Sequence, residues 1–168
     1  MTVIVAVDKN WGIGRDNKLL LSIPEDMKFF RAKTLGKTVI LGRKNLESFP
    51  GGKPLPKRRN IVLSSTLEAG EGFEVARSVE DLMDILGKSG CDDSKNDEDI
   101  FVIGGGEVYR LLLPMCTKAY VTKMYKDLDP DCYFPDLDAD SEWEVCEKSE
   151  MNEYEGTEYQ YLTYKRIG

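Results

Sequence analysis

A chain of 168 residues, 41% hydrophobic and 32% charged, is long enough for one domain with a substantial core. Its net charge of −7 argues against nucleic acid as the main partner, because phosphate neutralisation dominates that kind of binding. It contains no histidine, which removes the commonest general base, every Ser-His or Cys-His nucleophile pair and the usual transition-metal ligand.

Any chemistry must therefore run on carboxylates, hydroxyls, backbone or a borrowed cofactor. The apolar runs are too short to span a bilayer, and MTVIVAVDKN lacks the basic start and long apolar stretch of a signal peptide. A cytoplasmic location is expected. Cys91, Cys116, Cys132 and Cys146 form no CxxC pair and read as free thiols in a reducing compartment, with no metal site.

Thr2 to Asp8 is nearly continuous in apolar, β-branched character, which predicts a strand covered on both faces. Asn10 to Asn17, with Gly12 and Gly14, reads as a mobile loop. A helix follows from Pro24 to about Lys33, ended by Gly36; Ser22 and Glu25 have the spacing of a capping box at its start. Asp26 lies just inside, with Phe29 and Phe30 three and four residues on, so its carboxylate stands beside aromatic surface. An acid in such surroundings is a candidate for a perturbed pKa and for gripping a polar ligand edge; the plain alternative is that it complements the helix dipole.

Thr38 to Leu41 is a second buried strand, and Asn45 to Phe49 a short helix stopped by Pro50-Gly51-Gly52. The basic, proline-stiffened Lys53 to Arg59 leads to strands at Asn60–Ser64 and Phe73–Ala76. Ser78 caps a helix from Val79 to Leu86, and Gly87 to Asp99 reads as a solvated loop. Ile100 to Ile103 is a fifth strand, running into Gly104-Gly105-Gly106 and a helix from Glu107 to Leu113. Ala119–Tyr125, Glu142–Lys148 and Thr157–Lys165 then alternate like strands, with Asn152 to Gly156 as the last turn. The predicted fold is α/β: one domain with a central eight-stranded, mostly parallel mixed sheet, about four flanking helices and a C-terminal antiparallel hairpin.

In such sheets ligands sit beyond the carboxyl ends of strands. The strand ending at Leu41 delivers Gly42, Arg43 and Lys44 to a helix start, where free N–H groups and two cations favour a phosphate. The strand ending at Ile103 delivers three glycines to another, letting backbone approach an anion closely. Ser64, Ser65 and Arg77 follow two further strands. Each feature alone has an ordinary explanation as a solvated helix start or a packing turn, and GGG does not match GxGxxG. Together they suggest a dinucleotide, with arginine and serine favouring NADP over NAD.

With AVDKNWGIGRDN, IPEDMKFF, VILGRKNLESFP, LPKRRNIVLSS and FVIGGGEVYRLLLP in hand, the chain resembles dihydrofolate reductase from Val3 to Arg166. The resemblance implies one dihydrofolate reductase domain over residues 1–168, with an adenosine-binding part over about 38–88. It implies hydride transfer from NADPH to C6 of 7,8-dihydrofolate, with a proton at N5, giving the tetrahydrofolate of one-carbon metabolism and thymidylate synthesis. The small-molecule substrate would be the only partner of a cytoplasmic monomer.

By position, Asp26 matches the acid that bonds the pterin 2-amino group and N3, with Thr122 supporting it and Leu21 shielding the site. Ile4, Val5, Met27, Phe30, Phe49, Leu55 and Ile103 match the apolar walls, and Arg58 the partner of the glutamate α-carboxylate. Lys53 and Tyr109 complete the implied substrate set. Ala6 and Ile13 match backbone contacts to the nicotinamide carboxamide, while Asn17, Lys18 and Leu19 belong to a loop, Trp11 to Ser22, that closes on the cofactor. Gly42, Arg43, Lys44, Asn45, Leu63, Ser64, Ser65 and Arg77 match positions around the phosphates and ribose. Ile103, Gly105, Gly106, Glu107, Val108 and Tyr109 match the turn over the pyrophosphate.

Three departures stand out. Leu20-Leu21 replaces the Pro-Trp of many members, whose tryptophan holds a water; Leu21 shields but donates no hydrogen bond. Asn45 replaces a frequent threonine. Glu107 suits the helix dipole but competes with a phosphate for the same N–H groups. A pyrimidine reductase of riboflavin synthesis is the nearest rival, disfavoured by the Asp26 helix and Arg58; a nucleotide-binding module without turnover is the second.

Overall fold

The computed structural model describes residues 1–87 and 99–168. Most of the expected Gly87–Asp99 loop, and Cys91 with it, lies outside the described residues. The strands are β1 (Thr2–Val7), β2 (Gly12–Gly14), β3 (Thr38–Gly42), β4 (Arg59–Leu63), β5 (Phe73–Ala76), β6 (Ile100–Gly104), β7 (Lys118–Met124), β8 (Cys132–Tyr133), β9 (Trp143–Lys148), β10 (Asn152–Tyr154) and β11 (Thr157–Arg166). The helices are α1 (Pro24–Thr34), α2 (Arg43–Ser48), α3 (Val79–Gly87) and α4 (Gly106–Leu112). No helix among the described residues is long and apolar enough to cross a membrane.

The main sheet runs β10-β11-β7-β1-β6-β3-β4-β5, with β9 pairing β11 on the same edge as β10. From β7 to β5 every pair is parallel, and β11 joins antiparallel. The eight expected strands all lie in it. Parallel strands covered on both faces need apolar residues at successive positions, and β1 illustrates why: Val3, Val5 and Val7 face one core with Leu82 of α3 and Leu112 of α4. Ile4 faces the other, with Leu46 of α2, Phe29, Phe30 and Leu55.

Topology positions the site. The chain passes from β1 through α1 to β3 and skips one slot, which β6 later fills. The carboxyl ends of β1, β6 and β3 therefore lie side by side at a switch point, where a crevice forms.

Several local expectations need correction. The capping box at α1 does not form: Ile23, not Ser22, is the N-cap residue, without a side-chain cap bond. Ile23 is buried with Met124 and Tyr159, and that packing takes Ser22 out of the capping position. Glu25 pairs instead with Lys28 at 3.3 Å. A related exchange appears at α3, where Ser78 Oγ accepts the Asp81 N–H and Asp81 accepts the N–H of Arg77, one residue before the cap. Gly36 does follow α1, at φ 76°.

Asn10 to Asn17 is not wholly loop, since its Gly12–Gly14 forms β2 against β8. Asn152 to Gly156 is not wholly turn, since Asn152–Tyr154 forms β10 and only Glu155-Gly156 turns. Helix α2 starts at Arg43 rather than Asn45, and α4 at Gly106 rather than Glu107.

Asp8, fully buried, holds the loop after β1. Its Oδ1 accepts the N–H groups of Asn10 and Gly12 at 2.9 and 2.8 Å, and its Oδ2 that of Leu128 at 3.1 Å. Asp8→Ala strands three donors, so it should cost about 2–4 kcal/mol and lower Tm by about 4 °C or more, read by thermal melting. Loss of under about 1 °C would mean the loop holds without it.

Candidate active site

Helix α1 crosses the sheet over β7 and β11. Phe29 meets Tyr120 edge-on at 6.0 Å and lies against Tyr161 at 4.6 Å, so the helix is seated by aromatic contact. That seat turns Asp26 inward. Thr122 Oγ1 donates to Asp26 Oδ1 at 2.7 Å. Burial pushes the Asp26 carboxyl above its usual range, and the Thr122 hydroxyl opposes part of that rise.

An apolar wall stands beside it. Ile4, Ile103, Phe30, Phe49 and Leu55 belong to one cluster, as the sequence suggests. Met27 is exposed at the mouth. Val5 packs its side chain into the opposite core, which leaves only its backbone toward this side. Ala6 and Leu21 join a third cluster, with Ile23 and Tyr159.

Arg58 closes the far end. Its guanidinium lies 5.9 Å over the Phe30 ring, with Nε donating to Thr34 Oγ1 and Nη1 to the Pro56 carbonyl, each at 3.0 Å. Burial and the neighbouring Arg31 lower its pKa. Buried Asn60 shapes this turn by bonding Leu55 through both N–H and C=O. Lys53 is exposed nearby.

On the other side, Gly42 and the β6 turn approach closely. A Cβ on Gly42 would stand 3.1 Å from Val108 Cγ2 and 3.9 Å from Gly105 N. Gly104 has φ 129°, which only glycine adopts easily, and the Gly104–Gly105 peptide is cis. A Cβ on Gly106 would meet Cys132 Sγ at 2.6 Å, whereas one on Gly105 meets nothing within 4 Å. The turn is thus tight where it touches protein and open at Gly105, a surface that fits a diphosphate against backbone. Val108 is buried beneath it, Glu107 exposed, and Tyr109 donates its hydroxyl to the Ile4 carbonyl at 2.9 Å. Asn45 Nδ2 reaches the Ile103 carbonyl at 3.4 Å.

Arg43 and Lys44 are exposed at the start of α2, and Asn17 donates to the Lys44 carbonyl at 3.0 Å. Ile13 packs into the core, while Lys18 and Leu19 are exposed on the same loop. Arg77 bonds the Ser64 and Leu67 carbonyls, so it organises the turn after β4. Ser64 Oγ accepts two N–H groups of that turn, Leu63 is half-buried, and Ser65 is exposed.

The sequence did not single out Asp8, Asn60, Tyr159 or Tyr161. The alternation of β11 was the available signal for the tyrosines, since it puts both on one face.

The family model for dihydrofolate reductase matches residues 1–166. The chain is similar to dihydrofolate reductase of Haemophilus influenzae, 40% identical over 153 residues covering 91% of this chain and 86% of that one. It is 35% identical to that of Bacillus subtilis over 172 residues, covering 99% and 94%. A solved structure of the Enterococcus faecalis enzyme, complexed with NADP(H) and RAB-propyl, superposes with TM-score 0.80 at 33% identity, covering 99% and 96%.

Because burial raises the Asp26 pKa above 3.8, its neutral form suits the fold better than its charged form. The stability it contributes is present at low pH and lost as pH rises through the folded value. Asp26→Asn, which keeps an acceptor for Thr122, should therefore melt higher than wild type at pH 7, with the gain shrinking toward pH 4. Equal melting at both pH values would contradict this.

Proposed function

The chain belongs to the dihydrofolate reductase family, and from that premise we propose how its residues carry out the NADPH-dependent reduction of 7,8-dihydrofolate to 5,6,7,8-tetrahydrofolate. The observation that carries the assignment is the Asp26 carboxylate, bonded by Thr122 at the edge of an apolar slot closed by Arg58.

Asp26 anchors the pterin through its 2-amino group and N3, and its negative charge favours positive charge building on N5. The proton reaches N5 through water, since the carboxylate holds a different edge of the ring. Ile4, Phe30, Phe49, Leu55 and Ile103 exclude water around the pterin and benzoyl rings, with Met27 at the mouth, which strengthens the Asp26 interaction. Arg58, steadied by Phe30 and Thr34, pairs with the glutamate α-carboxylate. Leu21 covers the site without donating to it.

NADPH, when bound, supplies the hydride. Gly105 and Gly106 offer backbone to its pyrophosphate, and Arg43, Lys44, Ser64, Ser65 and Arg77 surround the remaining phosphate and ribose. Ala6 and Ile13 present backbone to the carboxamide, and Asn17 ties the closing loop to α2. The residues from 38 to 88 form the adenosine-binding part of the domain. The thiols of Cys116, Cys132 and Cys146, which form no disulfide, support a reducing, cytoplasmic setting, and a monomer accounts for the site, to which one chain brings every residue named.

Asp26→Asn should lose roughly 10²-fold or more in single-turnover hydride transfer at neutral pH. A loss under about threefold would defeat the assignment. Replacing Arg43 and Arg77 by alanine should weaken NADPH by roughly tenfold or more beyond any effect on NADH. Equal weakening of both, by fluorescence titration, would move the phosphate pocket elsewhere.

A further inference from the structure

The mechanism above leaves unused a pair of tyrosines on the flank of α1 that carries Phe29. In the β7–β11 register Tyr161 lies directly opposite Thr122, the donor to Asp26. Opposed residues of an antiparallel pair project from one face, with Cβ atoms about 4.5–5.5 Å apart. The Tyr161 ring also lies 4.6 Å from that of Phe29, one helical turn from Asp26, and meets Tyr159 edge-on at 5.8 Å. Tyr161 thus lies against Phe29 and across the strand pair from Thr122. Leu21 packs into the same cluster. A cavity of about 200 Å³ opens along Phe29, Lys33 and Tyr161, with Glu147 and Lys148 of β9 at its edge.

Burial and the charges of Asp26 and Glu25 raise the pKa of both tyrosines, so both hydroxyls stay protonated as neutral dipoles. A carboxylate has about four acceptor sites, and Thr122 fills one. Leu21 offers no donor. A further hydroxyl dipole nearby offsets part of the burial that disfavours the anion.

We propose that Tyr161 is a positioning residue for the reaction, its hydroxyl steadied by Tyr159 and favouring the ionised form of Asp26 from behind α1. This rests on Asp26 as the pterin anchor. The charged groups around the pair are Glu25 on α1, Lys33 at 5.7 Å from the Phe29 ring, and Glu147 and Lys148 on β9. Tyr161→Phe removes none of them and keeps the ring contact with Phe29.

The test is a carboxyl NMR titration of the full chain with ¹³C-labelled aspartate, the Asp26 signal assigned through its loss in Asp26→Asn. Tyr161→Phe should move the Asp26 midpoint up by about 0.5 pH unit or more, and the acid limb of the kcat/KM profile with it. Tyr159→Phe should shift it less, in the same direction. Tyr154→Phe, in the same cluster, should leave it in place. A Tyr161→Phe midpoint within about 0.1 unit of wild type, or an equal shift in Tyr154→Phe, overturns the proposal. Retention of full turnover by Asp26→Asn, with the midpoint shift intact, overturns the anchor role instead and leaves the tuning in place.

Discussion

One hydrogen bond organises the proposed site: Thr122 on a central strand to Asp26 on the helix that covers it, 96 residues apart. It is a polar contact across an apolar seam. Phe29, Tyr120 and Tyr161 seat the helix by ring contact, and that seat decides which way the carboxylate points. Without the seat, Asp26 would be another acid in the first turn of a helix, solvated like Glu25. With it, the charge is held where water is scarce, which costs stability and makes the group useful.

The same economy governs the other buried polar groups. Asp8 satisfies three backbone donors, Asn60 bonds both polar groups of Leu55, and Tyr109 reaches the carbonyl of Ile4. Asp8 and Asn60 tie loops near the site to β1 and β4, and Tyr109 ties α4 to β1. Arg166 likewise binds the Leu113 and Cys116 carbonyls and Glu142, pinning the C-terminal strand beside α4. The loops around the proposed site are thus positioned by polar contacts with the scaffold.

Runs such as TVIVAV and FVIG were legible because a strand covered on both faces needs apolar residues at every position, a demand few other local structures make. The glycines at 104 to 106 were legible as a close-approach turn for a similar reason. What misled was local chemistry that tertiary packing overrode. Ser22 and Glu25 have capping-box spacing, yet burying Ile23 outweighed a surface cap. Asn152 to Tyr154 has turn composition, yet β11 extends far enough to give it a partner.

The sequence by itself determined the class of fold, the strand ends where cations and glycines gather, and Asp26 as the acid set beside aromatic surface. It could do so because periodicity and composition are properties of neighbouring residues. Only the tertiary structure decided that Tyr161 stands opposite Thr122 and against Phe29, that Val5 turns away from the acid, and that Arg77 grips the Ser64 turn. Those relations join residues far apart along the chain, and they exist only once the sheet has chosen its register.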